Sequence, residues 1–417
     1  MSAIIDYRGK TPRKTASGVP LITAKIVKGG RIDEPDEFID PLEYDDWMRR
    51  GLPEIGDVVM TTEAPLGEIA QLTDKRIALA QRLILLRGKP GMLDNTYLKY
   101  LMMSADVQSQ LQGRASGTTV MGIKQSELRK VVLSLPPIAE QCAIAGVLGS
   151  LDDKIEQNRR TARVLERLAR AIYRAWFVDF GPVMAKIAGA TSFSSMPQPV
   201  FDELPTRLVD SEIGPMPEAW GVKPIGDVVS IKGGATPSTK NAAYWENGMH
   251  CWATPRDMSR LSHPVLLDTE RRITDAGVEC ISSGLLPAGT VLMSSRAPVG
   301  YLAIAGVPTA INQGFIAMAC DGPLPPTYVL QWAHASMDAI HGRASGTTFP
   351  EISKTNFRPL PVVVPPPDVV AAFRSLADPL FDLLTATVKE DGSLAATRDY
   401  LLPRLLSGSV RVETHNG

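Results

Sequence analysis

Basic and hydroxyl side chains collect in two turn-rich stretches of this 417-residue chain. Lys10, Thr11, Arg13, Lys14, Lys25 and Lys28 lie in the first, and Thr236, Ser238, Lys240, Arg256 and Arg260 in the second. Such groups hydrogen-bond phosphate oxygens and base edges of nucleic acids. The alternative is that Gly and Pro simply make turns there, with solvated lysines beside them. Two matching octets, MTTEAPLG at 60–67 and MSSRAPVG at 293–300, differ in charge only at Glu63 and Arg296. Glutamate accepts from cytosine N4, and arginine forks onto guanine O6 and N7. The competing reading is an exposed hairpin turn. The hexapeptide RASGTT recurs at 114–119 and 343–348, which makes Arg114 and Arg343 candidates for a shared phosphate contact. Its Ser or Thr could equally cap a helix.

Catalytic signatures do not accompany these groups. The chain has no GxxxxGK[ST] loop, GxGxxG fingerprint or GxSxG elbow. An amino-methyltransferase grips its target amine with Asn/Asp-Pro-Pro-aromatic, whereas the Pro-Pro pairs here follow Leu135 or Val364 and precede Ile138 or Pro367. Cys142, Cys251, Cys280 and Cys320 show no CxxC spacing, and the histidines add no ligand pattern. The expectation is a non-catalytic protein with no cofactor and no metal. No run of eighteen apolar residues and no apolar N-terminal segment occurs, so a cytoplasmic protein without membrane contact is expected.

Lys and Arg number 44 against 45 Asp and Glu, a net charge of −1 that argues against a free-standing DNA binder. Between Arg8 and Arg31 every charged residue is basic, while residues 33–57 carry ten acids. This alternation suggests a polarised domain, or else two solvated faces.

The elements that must hold these groups come in duplicate. Gly9-Lys10-Thr11-Pro12 matches Gly234-Ala235-Thr236-Pro237, the octets match, RASGTT matches itself, and Pro136-Pro137 matches Pro365-Pro366. The offsets (225, 233, 229 and 229) drift as loop insertions in a duplicated gene would make them. Each copy begins with short apolar runs such as 56–60 and 83–86, which read as strands between turns, with a helix near 98–112. An α+β domain is expected. A long helix follows each Pro-Pro pair. Steps of four and three from Ile144 reach Leu148, Leu151, Ile155, Asn158, Ala162, Leu165, Ala169, Ile172 and Trp176, apolar except at Asn158, which is a coiled-coil seam. The same register in the second copy is interrupted at Thr387, Asp391 and Arg398. Two such seams are expected to pair antiparallel, giving a pseudo-twofold molecule. Pro379, Gly392 and Pro403 predict a kink or break in the second helix. Arg159, Arg163, Arg167, Arg170 and Arg174 line one face of the first, as a docking or DNA-backbone surface or as a solvated face.

The layout expected is therefore 1–137, an α+β domain; 138–180, a long helix; 181–217, a Pro- and Ser-rich linker; 218–365, a second α+β domain; 366–410, a second long helix; and 411–417, a tail. The second copy opens with Trp220 and residues 225–231 before its Gly-Ala-Thr-Pro. The first has no counterpart, so it is expected to be truncated at its N-terminus or to lack an edge strand.

Residues 172–180 (IYRAWFVDF), 208–214 (LVDSEIG) and 401–408 (LLPRLLSG) resemble the specificity subunit of type I restriction-modification systems, in order, spacing and duplication. The resemblance covers essentially the whole chain. It implies two target recognition domains, each reading half of a bipartite site in double-stranded DNA, held apart by spacer helices that dock two DNA methyltransferase subunits. Adenine methylation and cleavage would belong to those and to restriction subunits. The alternative is a helix-paired scaffold that reads no DNA.

Overall fold

The computed structural model describes residues 1–412 apart from 8, 10, 118, 119 and 347–349. It forms two compact units, residues 1–155 with 393–417, and residues 156–392.

In the first unit β1 (Ala3–Asp6), β2 (Val58–Thr62), β3 (Leu66–Gln71) and β4 (Leu83–Arg87) form an antiparallel sheet in the order β1-β4-β2-β3. The unbroken apolar runs of β2 and β4 are explained by burial on both faces. Val58, Met60, Ile84 and Leu86 pack on the helix Asn95–Met103, while Val59, Leu83 and Leu85 join Leu21, Ile22 and Ile39 on the other side. The register slips between Met60 and Thr62, a β-bulge. There the buried Thr61 hydroxyl accepts the Glu68 N–H at 2.9 Å, in place of a ladder bond.

The second unit repeats this plan. β5 (Ser230–Lys232), β6 (Val265–Leu266), β7 (Val291–Ser295), β8 (Val299–Ala305) and β9 (Phe315–Ala319) run in the order β5-β9-β7-β8-β6. The bulge recurs between Met293 and Ser295, and Ser294 Oγ accepts the Tyr301 N–H at 2.8 Å. Both units are thus α+β. The second also carries a ribbon in which Gly221–Pro224 pairs antiparallel with Pro361–Val364. The first unit has no such ribbon among its described residues, and Val132, in the corresponding segment, is 69% exposed.

Each long helix spans 40 residues, Ile138–Phe177 and Pro367–Leu406. Every seam position of the first is buried or half-buried. In the second unit Asn158 Nδ2 donates to Glu390 Oε2 at 2.8 Å, and Tyr173 packs edge-on against Phe373, so the two helix segments there run in opposite directions. In the first unit Ile144 and Leu148 share a core with Leu401, Leu402 and Leu405. The break expected at Pro379, Gly392 or Pro403 does not occur: the helix is continuous through all three. Pro379 and Gly392 sit on the exposed face, and burial of Phe373, Ala377 and Leu384 holds the backbone despite one missing donor.

Residues 181–217 differ from the linker expected. They contain the helices Gly181–Ile187 and Gln198–Asp202, and Met196, Phe201, Leu204 and Met216 are buried beside Trp176, Phe177 and Trp220. Lys186 Nζ ties the segment down by donating to the carbonyls of Asp202 and Leu204, each at 2.6 Å. A Pro- and Ser-rich composition concealed its few large apolar anchors.

Candidate nucleic-acid interface

The charged octet and RASGTT are far apart in sequence and meet in each domain. Glu63 and Ala64 turn the chain from β2 to β3, and Arg296 and Ala297 do the same between β7 and β8. Ala64 and Ala297 take left-handed φ values of 49° and 55°, a conformation that costs a residue bearing a β-carbon. The RASGTT loop closes by paired backbone bonds, Ser116 with Gly122 at 2.9 and 3.0 Å, and Ser345 with Glu351 at 2.9 Å each way. It then docks on the turn. Gly122 bridges Glu63, Glu351 bridges Arg296, and the Ile123 and Ile352 N–H groups donate at 3.0 Å to the carbonyls of Thr62 and Ser295. Arg114 donates to the Lys130 carbonyl at 3.2 Å and Arg343 lies 3.5 Å from that of Asn356, so both guanidiniums are turned onto their own domain's backbone. The hexapeptide's threonines lie outside the described residues.

A cleft opens beside the turn at the same place in each domain. In the first it is lined by Thr11, Thr23, Lys25, Ala64, Gln81 and Arg82. In the second Thr254, Arg256, Arg296, Ala297, Asn312 and Gly314 line it. The equivalence follows from strand register: Val19–Ile22 runs parallel to Ala78–Leu79 as His250–Ala253 does to Thr309–Ile311, which aligns Thr23 with Thr254 and Lys25 with Arg256. The Gly-x-Thr-Pro loop is pinned alike in both domains. Gln81 Nε2 donates to Thr11 Oγ1 at 3.3 Å, and the Thr236 hydroxyl donates to Gln313 Oε1 at 2.6 Å.

The remaining candidates fall around these clefts. Arg13, Ser238 and Lys240 are exposed on the Gly-x-Thr-Pro loops, and Lys10 lies outside the described residues. Arg256 and Arg260 share Glu270, at 3.6 and 2.6 Å. The two charge runs of the first domain partly pair with each other: Lys14 with Glu37 at 2.8 Å, Lys25 with Asp36 and Lys28 with Asp33 at 3.0 Å. The Lys25 ammonium on Asp36 holds that carboxyl below the usual carboxylate range. Sequence reasoning missed Gln81, Arg82, Gln313 and Glu351. The available signal was a glutamine repeated at the offset of 232, in AQR at 80–82 and NQG at 312–314.

The arginine face of the first long helix is largely paired. Arg159 lies 3.9 Å from Asp391, Arg163 3.5 Å from Glu156, Arg170 2.9 Å from Glu166 and Arg174 3.3 Å from Asp179, while Arg167 is exposed. Two histidines lie against this face. Burial, with Arg163 and Arg159 nearby, pushes His263 down to about 4, and burial with Arg170 does the same to His334. Among the described residues no group of His, Cys, Asp and Glu is placed to hold a metal, and no helix is long and apolar enough to cross a membrane.

Fold and clefts together define a tandem-duplicated α+β protein with one equivalent polar cleft per domain. The chain belongs to the type I restriction-modification DNA specificity family, whose domain model matches residues 18–167 and 217–369. It is 32% identical over 188 residues to the type I restriction enzyme MjaIX specificity subunit of Methanocaldococcus jannaschii, an alignment covering 45% of this chain and 43% of that relative's length. The HindI specificity subunit of Haemophilus influenzae is 25% identical over 359 residues, 76% of each chain. The crystal structure of the type I restriction-modification S subunit from M. genitalium has the same fold, with a TM-score of 0.53 at 16% identity, covering 95% of this chain and 92% of that one.

Proposed function

We propose that this chain reads a bipartite site in double-stranded DNA and directs adenine methylation and restriction by separate subunits, without catalysing either. The observation that carries this reading is the recurrence of one polar, arginine-bearing cleft at the same place in two domains of the specificity family. Residues 1–137 and 218–365 act as target recognition domains, each taking one half-site. Base edges in the major groove meet the clefts, while Arg13, Ser238 and Lys240 at the rims meet phosphates. The helices of 138–180 and 366–410 pair antiparallel as a coiled coil, give the molecule its pseudo-twofold symmetry and set the gap between half-sites. Two methyltransferase subunits dock on this frame, with exposed Arg167 among their contacts, and flip the target adenine out of the stack. Restriction subunits join them in the cytoplasm.

The test is to map methylated adenines after incubating DNA with the chain alone and with its cognate methyltransferase subunit. One bipartite motif is expected with both and no methylation with the chain alone. Methylation by the lone chain would refute the division of labour. A second reading, a scaffold that reads no DNA, draws support from the net charge of −1 and the mutual pairing of charges in the first domain. It predicts methylation without sequence preference.

A further inference from the structure

Three equivalent positions around each cleft hold the same three residue types in permuted order. In the first domain 63, 82 and 122 are Glu, Arg and Gly; in the second 296, 314 and 351 are Arg, Gly and Glu. Backbone bonds fix the correspondence. The Thr62 N–H donates to the Arg82 carbonyl and the Ser295 N–H to that of Gly314, both at 2.8 Å, while 122 and 351 are the bridge partners of 63 and 296. Each cleft therefore keeps one ion pair, made from different walls. Arg82 Nε lies 3.0 Å from Glu63 Oε1, and Arg296 Nη1 lies 3.9 Å from Glu351 Oε2.

Packing explains why the arginine changes wall. A β-carbon on Gly314 would stand 2.9 Å from Pro255 Cγ and 3.1 Å from Asn312 Oδ1, so the strand wall of the second cleft has no room for a long side chain. In the first cleft Ala24 occupies the place of Pro255, and Arg82 fits. The ion pair to Glu63 is made at Arg82 Nε, and the Arg82 side chain is half exposed at the cleft, where its terminal nitrogens can fork onto a base. Such a fork matches guanine O6 and N7, and an arginine pre-set by a carboxylate loses less freedom on binding.

We infer that Arg82 and Arg296 are the guanine-reading groups of the two half-sites, entering from opposite walls and each oriented by its glutamate. This rests on the proposed function. It makes Glu63 a positioning residue rather than the reader of a cytosine. The experiment maps the methylated motif of complexes carrying wild-type chain, Arg82→Ala, Arg82→Lys, Arg296→Ala, or the exchange Glu63→Arg with Arg82→Gly and Gly122→Glu. Arg82→Ala should cut discrimination at one guanine of one half-site by roughly tenfold to a hundredfold and leave the other half-site intact. Arg82→Lys should not restore it, since lysine has no fork. Arg296→Ala should do the same in the other half-site. Should Arg82→Ala methylate nothing, the exchange variant decides, because it keeps one guanidinium and one carboxylate: a changed base in the first domain's half-site alone supports the inference. An unchanged wild-type motif in Arg82→Ala, or no methylation by either variant, overturns it. A wild-type complex that methylates no defined motif overturns the proposed function instead.

Discussion

Arg398 Nη1 lies 2.8 Å from Asp152 Oδ1, across the seam of the long helices within the first unit. The other oxygen of the same carboxylate receives Lys99 Nζ at 2.5 Å and the Tyr100 hydroxyl at 2.7 Å. Three side chains from two other helices thus converge on one half-buried acid, and the polar interruption at Arg398 gains its reason. Asp152→Ala would strand the buried Lys99 ammonium and should cost about 3–5 kcal/mol of unfolding free energy. Urea denaturation measures it, and a loss below about 1 kcal/mol would contradict this account. Burial pushes the Asp152 carboxyl up, but Lys99, Arg398 and Tyr100 outweigh it and hold it below its ordinary value. Its contribution is therefore present above the ordinary carboxylate range and is lost as pH falls through the lowered folded value.

His263 and His334 predict a second acid sensitivity at higher pH. Both are held down at about 4 in the folded protein against an ordinary value of 6.5. The unfolded chain takes up these protons first, so stability is full above pH 6.5 and declines as pH falls towards 4. The limit is roughly 3 kcal/mol for buried His263 and less for the partly buried His334. Thermal melts from pH 7.5 to 4.5 should show the decline, and His263→Phe should flatten it. An equal slope in that variant would remove His263 from the explanation.

The helices predict a ruler. Each is about 60 Å long at about 1.5 Å per residue. In the second unit the pairing of 158 with 390 and 173 with 373 sets residues 162–168 against roughly 380–386, not against their repeat equivalents 391–397. Removing both facing heptads preserves the seam and shortens it by about 10 Å, or roughly three base pairs. The half-site sequences should persist while the gap in the methylated motif contracts. An active complex that methylates the original spacing would show that the helices do not set the distance. Removing one heptad alone should impair assembly.

Gly392 offers a gain. It lies inside the second long helix on the exposed face, and a β-carbon there meets nothing within 4 Å. Gly392→Ala should stabilise the chain by about 0.5–1 kcal/mol. A lowered melting temperature would mean that the glycine serves a contact outside the isolated chain.

Periodicity made the seams legible, because burial along a helix leaves a 3.5-residue repeat that few alternatives mimic. The duplication exposed the octets and RASGTT as important, yet not that they touch, since a backbone bridge such as Glu63 to Gly122 depends on no side-chain type. For the same reason Glu351 and Gly122 drew no attention as equivalents. Prolines misled in the second helix, where intrinsic propensity yields to tertiary burial, and again in residues 181–217, where Phe201 and Met216 outweigh the turn-formers around them. The charge runs partly cancel because partners five to twenty-three residues apart, such as Lys28 with Asp33 and Lys14 with Glu37, fold back on each other.

The packing of Met196, Phe201, Leu204 and Met216 with Tyr173, Trp176 and Phe373 has a bearing on heredity. Were the second domain exchanged for another by recombination, the end of one helix, the intervening segment and the start of the other would have to come with it, or mismatched halves of one core would be left. Exchanging residues 156–392 as one piece would keep this core whole, whereas a junction in the Pro-rich stretch would divide it.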